Sequence, residues 1–362
     1  MIKYMHEKWC YMHKFDYSFL ENSFLPARLI DIVGNIYALS VLSRNRQEDF
    51  ANVYTELAVV AKIQSIKHSN EIEGIITTDE RIREIVNKSS VPFNHNEEEI
   101  AGYRDALAEV HKHYNYIVFN EENIKRLHAI MLNIASYEYA GQYKSEDNDI
   151  IEKDAKTGMR RVRFHPTSAG DTPEEMQQLI LAYMDARDNP NINQLLLIPC
   201  VILDFLCIHP FRDGNGRISR LLSLLLLYKN DFDVGKYISF EEQINNRKGN
   251  YYNALFQSSI GWHETKSDYA PFIMEFLITL YSCYKELDKR FAVIGSKRIT
   301  KHARIEAAVL NSLTPISKND ITKILPDVSP TTVENVLGQM IKNGDIQKIG
   351  SGRNTKYLKR NL

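Results

Sequence analysis

The sequence has no long uninterrupted apolar run and almost no excess charge. Among 362 residues, 45 Lys and Arg stand against 46 Asp and Glu, so the formal net charge is -1. Such a balance gives no sign that the chain as a whole binds nucleic acid or a membrane surface. The longest apolar stretch, residues 195–208, is interrupted by Pro199 and Asp204 and is too short to cross a bilayer. It predicts a buried helix instead.

Cysteine is scarce, and no two cysteines are closely spaced. Cys10, Cys200, Cys207 and Cys283 are scattered without a C-x-x-C pair. This spacing argues against a structural zinc site and a disulfide framework, so we expect reduced thiols. The N-terminus also lacks the continuous apolar segment of a secretory signal. Together these absences predict a cytoplasmic protein with no membrane association.

Apolar residues recur at three- and four-residue steps along most of the chain, which predicts a mainly α fold. The predicted helices are two between residues 28 and 67, then 97–114, 121–134, 173–187, 194–208, 221–228, 247–260 and 269–290. Between residues 142 and 165 the sequence becomes polar and then alternates, which predicts a β-hairpin. We expect this hairpin to lie on a helical body.

The residues after about 295 are predicted to form a separate unit. Three helices are expected at 304–313, 317–325 and 329–344, followed by a hairpin over residues 346–358. This order is typical of a winged helix-turn-helix domain. From Ser296 onward Lys and Arg exceed Asp and Glu by about seven, a charge suited to phosphate. The predicted divisions are an N-terminal helical region (1–95), a catalytic core (96–292) and a winged helix domain (296–362).

One loop between two apolar helices concentrates polar chemistry. Residues 209–220 read His-Pro-Phe-Arg-Asp-Gly-Asn-Gly-Arg-Ile-Ser-Arg. Gly214 and Gly216 let backbone N–H groups approach an anion closely, and the following helix adds the positive end of its dipole. Arg217 and Arg220 are three residues apart, so we expect them to share one helix face and to neutralise a polyphosphate. The loop therefore predicts a phosphate site.

Two further side chains of this loop are suited to reactions of a bound phosphate, one as a metal ligand and one as a base. Asp213 offers the carboxylate oxygen that Mg²⁺ takes together with phosphate oxygens, and His209 can act as a base near neutral pH. The loop matches neither the P-loop pattern nor a dinucleotide-binding pattern, because no strand precedes it. A lone His-Pro-Phe or G-x-G usually marks packing or a turn, so the prediction rests on the complete string.

The string from His209 to Arg220 resembles the full signature of Fic-domain proteins. The resemblance covers roughly residues 23–290 and implies a Fic-type helical bundle with a β-hairpin flap. It also implies an activity. In similar proteins the histidine takes a proton from a Ser, Thr or Tyr hydroxyl of a target protein. That hydroxyl attacks the α-phosphate of ATP and expels pyrophosphate, so AMP is transferred to the target.

The same resemblance implies a role for each residue of the loop. His209 would be the base, and Asp213 would hold a Mg²⁺ that bridges the α- and β-phosphates. Doc-type relatives carry a lysine where this chain has Gly216, lack the second arginine and transfer phosphate; this chain follows the AMP-transferring pattern. The implied phosphate contacts are Gly214, Asn215 and Gly216 around the phosphate oxygens, Arg217 at the β-phosphate and Arg220 at the γ-phosphate.

Two other segments correspond to parts of the family's site. The hairpin at 147–165 matches in chain position the flap that holds the target protein by strand addition. Tyr252 lies on a helix where similar proteins contact adenine or ribose. The competing interpretations are a plain surface hairpin and a core tyrosine.

Residues 69–74, Ser-Asn-Glu-Ile-Glu-Gly, resemble the family's inhibitory motif. That motif consists of Ser or Thr, three positions that can be any residue, Glu, and then Gly or Asn. By this match, Ser69, Glu73 and Gly74 are the predicted inhibitory residues. Without the signature loop, Ser and Glu four apart would be a solvated helix face. With the loop, the resemblance implies that Glu73 pairs with Arg220 in place of the γ-phosphate. The purified protein is then expected to be weakly active or inactive.

Several alternatives stay open at this stage. The C-terminal unit, with wing residues Lys348, Arg353, Lys356 and Lys359, would make the chain a DNA-binding regulator, or would dock a protein. An enzyme of this kind can also transfer another phosphate-containing group, such as UMP or phosphocholine, or remove AMP with Glu73 positioning water. A homodimer stays open as well. No metal role is assigned to His111, His128 or His165, since none has a second ligand at a liganding interval.

Overall fold

Helices dominate the computed structural model, as the apolar periodicity predicted. The structure describes residues 13–21, 26–88, 90–153, 159–295, 301–310, 312, 315–325, 328–352 and 355–359. The helices of the larger body are α1 (Ala27–Asp49), α2 (Ala51–Ile72), α3 (Asp79–Val86), α4 (His95–His113), α5 (Glu121–Leu132), α6 (Thr172–Asp188), α7 (Gln194–Ile208), α8 (Asn215–Lys229), α9 (Phe240–Asn246), α10 (Lys248–Ser259) and α11 (Ala270–Gly295).

The sequence did not predict α3 and α9. Helix α3 has only eight residues and α9 only seven, so neither repeats its apolar spacing often enough to be recognised. Short polar caps begin both helices: Thr78 accepts the N–H of Arg81, and Ser239 accepts the N–H of Glu242.

The predicted hairpin is present between α5 and α6. Strands β1 (Ile150–Lys153) and β2 (Arg160–Phe164) pair antiparallel, with Ile151 opposite Val162. The register shifts between Ile150 and Ile151, which marks a β-bulge. The turn signal at residues 156–158 lies outside the described residues.

Helix α7 lies at the centre of the hydrophobic core. Every residue from Leu195 to Ile208 is buried, which explains why its sequence is apolar on all sides. The free thiols of Cys200 and Cys207 belong to this core, while Cys10 lies outside the described residues. Residues of α1 to α3 join the same core as those of α4 to α11. The N-terminal helices and the predicted catalytic core therefore pack as one unit.

A buried carboxylate on α7 fixes the N-terminal segment to this core. Asp204 accepts hydrogen bonds from Tyr17 Oη (2.7 Å), Trp262 Nε1 (2.8 Å) and Tyr269 Oη (2.8 Å). His13 Nε2 lies 3.8 Å from the carboxylate, and the ring of His13 stacks on Trp262. Burial raises the pKa of Asp204, although the His13 charge and the three donors oppose that rise. The helix that ends at His209 is thus held at mid-length by three separate segments.

Replacing Asp204 with Ala is expected to lower the free energy of unfolding by about 3 to 5 kcal/mol, because three buried donors lose their acceptor. Urea unfolding followed by circular dichroism measures this change. The exposed Asp185→Ala substitution on α6 is the matched control and should change stability by less than about 0.5 kcal/mol. Equal stabilities of the two variants would contradict the role given to Asp204.

The C-terminal unit has a hydrophobic core of its own. Its elements are α12 (Lys301–Leu310), β3 (Ile316–Ser317), α13 (Lys318–Ile324), α14 (Pro330–Asn343), β4 (Ile346–Ile349) and β5 (Lys356–Lys359). The sheet order is β3-β5-β4, and β3 was not predicted. Ser317 and Asp320 form a capping box at α13, and Ser329 caps α14. The name winged helix, and DNA or protein as its partner, remain predictions; Arg353 lies outside the described residues.

Among the residues that the structure describes, none of the helices combines the length and the apolar character needed to span a bilayer.

Candidate active site

His209 is the residue that ends α7, and it adopts a left-handed conformation. Its φ is 52° and its ψ is 58°, which costs on the order of 1 kcal/mol for a residue with a β-carbon. The Nδ1 atom lies 3.3 Å from the carbonyl oxygen of Leu206. A carbonyl can only accept, so Nδ1 carries the proton and donates it. The lone pair is therefore on Nε2, which is the basic nitrogen.

Burial is the main reason that the pKa of His209 falls to about 4. The charge of Lys144 lowers the pKa further, while the Leu206 carbonyl, Glu73 and Asp213 raise it. At neutral pH the imidazole is consequently uncharged and able to accept a proton.

The loop after His209 is closed by the side chain of Asn215. Its Oδ1 accepts the N–H of Phe211 at 2.9 Å, and its Nδ2 donates to the carbonyl of Phe211 at 2.7 Å. Both ends of the amide are thus used inside the loop, because the chain turns sharply here and Phe211 needs partners for its backbone. The structure gives the Asn215 side chain a role in closing the loop, and its predicted contact with phosphate stays a prediction.

His128 supports the same loop from α5. Its ring stacks on Phe211 at a centroid distance of 3.8 Å, and its Nδ1 accepts the N–H of Gly141 at 2.9 Å. Nε2 then carries the proton and donates to the Asp213 carbonyl at 3.1 Å. Burial lowers the pKa of His128 to about 4. These contacts give His128 a structural role in the loop.

Two glycines shape the start of α8. Gly214 has a φ of 81°, and a β-carbon there would lie 2.6 Å from Met131 Cε. At Gly216 a β-carbon would lie 2.3 Å from Glu73 Oε1, so only glycine leaves room for this oxygen. The first N–H groups of a helix have no intrahelical partner and attract anions. The Glu73 carboxylate thus lies against the first turn of α8, at Gly216.

The structure brings the predicted inhibitory residues to Arg220. Its Nε donates to Ser69 Oγ at 2.8 Å, and its Nη2 donates to the Ser69 carbonyl at 2.8 Å and to Glu73 Oε1 at 2.7 Å. The guanidinium is 3% exposed and the Glu73 side chain 31% exposed. Burial raises the pKa of Glu73, but the charge and hydrogen bond of Arg220 outweigh it and hold the pKa below 4.5. Glu73 is therefore ionised.

Gly74 explains how α2 ends at the glutamate. It has a φ of 81°, and its N–H donates to the carbonyl of Glu71 at 3.0 Å. A glycine in this conformation stops the helix directly after Glu73. Lys248 of α10 donates to the carbonyl of Ile72 at 2.8 Å, so the last turn of α2 is also capped by a cation.

Arg217 has a different partner, which the sequence did not reveal. Its Nη1 lies 2.6 Å from Glu99 Oε2, and its Nη2 lies 3.7 Å from Asp213. The two arginines of α8 are thus paired with carboxylates from different segments, Arg220 with Glu73 at the end of α2 and Arg217 with Glu99 on α4. Glu99 also accepts from Tyr137 Oη at 3.0 Å. No motif contains Glu99, so only the packing of α4 could identify it.

The Arg217 guanidinium is almost fully buried, yet its Nε and Nη1 have no hydrogen bond of good geometry within the described part of the chain. Its contact with Glu99 is an ion pair without hydrogen-bond alignment. Buried donors of this kind are expensive unless a further acceptor completes them. A phosphate oxygen is such an acceptor.

Asp213 is the residue suited to a metal ion. Its side chain is 57% exposed, and the described residues contain no cluster of three or more His, Cys, Asp or Glu that could hold a metal alone. Mg²⁺ is usually bound through one or two carboxylates together with substrate phosphates. The donor set therefore fits a Mg²⁺ that arrives with a phosphate-bearing substrate.

A cavity of about 180 Å³ lies beside His209, between the hairpin and α10. Tyr252, the predicted nucleotide contact, lines it; burial, followed by the charge of Glu73, raises the pKa of Tyr252 to about 12. Arg163 donates to the Tyr252 carbonyl at 2.6 Å and lies 5.0 Å from the Phe256 ring. The lining residues that the sequence did not identify include Ile150, Arg163, Phe164, Leu206, Leu255, Phe256 and Ser259.

The comparison with known families agrees with the geometry of the loop. Residues 118–227 match the Fic/DOC family. The chain contains a Fic/DOC domain. This domain starts before α5 and includes the hairpin, α7, the His209 loop and most of α8.

One curated relative of the Fic/DOC domain is a Protein adenylyltransferase Fic from Nematostella vectensis. It is 29% identical over an alignment of 227 residues, and the alignment covers 59% of this chain and 45% of the relative. The chain thus spans about half the length of the relative that it matches.

Solved structures share the fold around the Fic/DOC domain. A Fic family protein from Desulfovibrio desulfuricans G20 aligns with a TM-score of 0.61 and 19% identity, over 94% of this chain and 98% of that chain. A Fic domain containing signaling protein from Bacteroides thetaiotaomicron aligns with a TM-score of 0.55 and 20% identity, over 78% and 98%. These similarities confirm the predicted mainly helical, Fic-type fold.

Proposed function

We propose that the chain is a protein adenylyltransferase that moves AMP from ATP to a Ser, Thr or Tyr hydroxyl of a target protein. The Fic/DOC domain and the adenylyltransferase relative support transfer of a nucleotide or another phosphate-containing group. The observation that carries the proposal is the arrangement at one cavity. His209, whose Nε2 is unprotonated, lines the same cavity as Gly216 at the start of α8 and Arg220.

The chemistry follows from these groups. Nε2 of His209 accepts the proton of the target hydroxyl while its oxygen forms a bond to the α-phosphorus of ATP. The bond from that phosphorus to the bridging oxygen breaks, and pyrophosphate leaves. The N-terminus of α8 and the two arginines stabilise the phosphate charge. Mg²⁺, which Asp213 would hold, supplies further charge neutralisation when bound. Positioning and electrostatics therefore account for the catalysis.

Glu73 is proposed to inhibit this reaction. Its carboxylate is paired with Arg220 and its Oε1 fills the space that Gly216 leaves beside α8. A γ-phosphate that binds the same arginine would be repelled by the negative charge of the Glu73 carboxylate. The cavity of about 180 Å³ is also smaller than the roughly 300 to 1,000 Å³ usual for ligand sites. These contacts support an inhibitory role for the motif formed by Ser69, Glu73 and Gly74.

The hairpin is proposed to hold the target protein over residues 147–165. Each strand of this two-stranded sheet has one open edge, which can pair with an extended segment. Ile151 and Val162 face each other and are 55% and 45% exposed, so they offer apolar contact to such a segment. Residues 154–158 are not among those described.

Labelled ATP tests which group is transferred. The full chain carrying Glu73→Gly is incubated with Mg²⁺ and lysate, in parallel with ATP labelled at the α- or the γ-phosphate. We expect protein-bound label from the α-position only, and mass spectrometry should find AMP on a hydroxyl side chain. Label from the γ-position would show phosphate transfer and contradict the proposal. UTP in place of ATP tests transfer of UMP in the same assay.

A further inference from the structure

Lys144 contacts the catalytic loop on both sides of His209. Its backbone N–H donates to the carbonyl of Pro210 at 2.9 Å, and its Nζ donates to the carbonyl of Ile208 at 3.2 Å. The residue is 4% exposed, although lysine is rarely buried. A single residue between α5 and the hairpin therefore binds both carbonyl groups that flank the base.

Asn148 contacts both Lys144 and the next residue of the loop, Phe211. Its Oδ1 accepts from Lys144 Nζ at 3.0 Å, and its Nδ2 donates to the carbonyl of Phe211 at 3.3 Å. Lys144 and Asn148 thus hold three carbonyl groups of the four residues from Ile208 to Phe211. The hydrogen bonds of Lys144 leave its ammonium well paired despite its burial.

These contacts act where the backbone is strained. His209 has a positive φ, and a residue with a β-carbon keeps this conformation only where its surroundings fix it. The Ile208 carbonyl belongs to the peptide plane that precedes His209, and the Pro210 carbonyl belongs to the peptide unit one residue after it. Both contacts therefore limit how the backbone at His209 can rotate, and hence the direction of its side chain. A base must point at the hydroxyl proton within a narrow range of distance and angle.

The charge of Lys144 acts on the imidazole as well. It is the second cause, after burial, of the low pKa of His209; among charged residues, Glu73 and Asp213 oppose it. Burial lowers the pKa of Lys144 itself to about 8, with Asp147 and Glu175 opposing the fall. Lys144 is therefore mostly protonated at neutral pH, and its positive charge disfavours a second one on His209.

We infer that Lys144, assisted by Asn148, is a positioning residue for His209: it fixes the backbone on both sides of the base and presents a positive charge to the imidazole. The inference rests on the proposed function, in which His209 Nε2 accepts the hydroxyl proton. It adds residues outside the 209–220 signature to the machinery that prepares the base.

A titration tests the electrostatic part without any need for activity. The full chain, with isotope-labelled histidine, is followed by NMR between about pH 3.5 and 8, and His209→Ala assigns the signal. In the wild type the imidazole should stay neutral above about pH 5.5. Lys144→Met should move its titration upward by about one pH unit or more, and Lys144→Arg should reverse that change. An identical titration in wild type and Lys144→Met would overturn the inference.

A rate measurement tests the positional part. In the Glu73→Gly background, Lys144→Met should lower kcat about tenfold or more with little change in the KM for ATP, and Lys144→Arg should restore part of it. Asn148→Ala should lower kcat without moving the titration. Unchanged kcat in both Lys144→Met and Asn148→Ala would overturn this part of the inference.

Two controls keep the test decisive. Circular dichroism and thermal unfolding check that each variant folds, and Lys144→Gln, which keeps a donor but removes the charge, replaces Lys144→Met if that variant does not. If the Glu73→Gly chain with no further substitution transfers no labelled AMP, the result counts against the proposed function. The titration would still decide the role of Lys144.

Discussion

Replacing Glu73 with Gly is expected to raise the rate of AMP incorporation by about tenfold to a hundredfold. Hydrogen bonds between charged groups contribute about 1.5 to 3 kcal/mol, and each 1.4 kcal/mol is a factor of ten. Under the proposed function, ATP would have to displace the Glu73 carboxylate from Arg220 before the guanidinium could hold a phosphate. The substitution removes that competitor and also empties the space beside Gly216. Initial rates with labelled ATP, measured on the full chain, report the change.

Glu71→Gly is the matched control for this experiment. Glu71 lies on the same last turn of α2, but its side chain contacts His68 and Asn245 instead of Arg220. Both substitutions place a glycine at the end of the same helix, so a general loosening of α2 would affect both variants equally. A similar rise in both variants, or no rise in Glu73→Gly, would refute the inhibitory role of Glu73.

Replacing His209 with Ala in the Glu73→Gly chain is expected to lower incorporation by about a hundredfold to ten-thousandfold. This is the usual contribution of a positioned general base. His209 has an unprotonated Nε2 and lines the cavity, and among the described lining residues Glu73, the other basic group, is already replaced in this chain. His113→Ala is the control, because His113 lies at the end of α4 and pairs with Glu109. Retention of more than about a tenth of the rate would contradict the role of His209.

The pH dependence of the same reaction gives an independent check on His209. A base works in its deprotonated form, and the pKa of His209 is lowered to about 4. The rate should therefore be insensitive to pH between about 5.5 and 7.5, whereas an imidazole with the usual pKa of 6.5 would lose activity as the pH falls through that range. Initial rates at fixed ionic strength decide between the two profiles.

The parts of the site that were predictable from sequence are those contained in short contiguous strings. The 209–220 loop carries its glycines, arginines, carboxylate and histidine within a dozen residues, and the motif at 69–74 supplied the partner of Arg220. Even so, the sequence did not show that Asn215 closes the loop, because only the folded backbone brings its amide to the N–H and the carbonyl of Phe211.

The remaining contributors come from distant elements and have no recognisable spacing. Glu99 reaches Arg217 from α4, Arg163 reaches α10 from the hairpin, and Lys144 reaches the carbonyl groups of Ile208 and Pro210. Each is an ordinary charged residue in its own segment, and its role exists only once tertiary packing brings it to the loop. The helices show the same limit, since long periodic ones were predicted while short α3 and α9 were not.

The end of α2 at Gly74 affects how much free energy is needed to separate Glu73 from Arg220. Because Glu73 directly follows the last turn of α2, separating its carboxylate from Arg220 would require only that the end of this helix fray, while the bonds of Arg220 to Ser69 remain. Such an opening is far less costly than loss of a core element. The paired and frayed forms then exchange as a local equilibrium. Its position sets what fraction of molecules can accept a triphosphate at a given moment, so any partner that prefers the frayed turn would act as an activator.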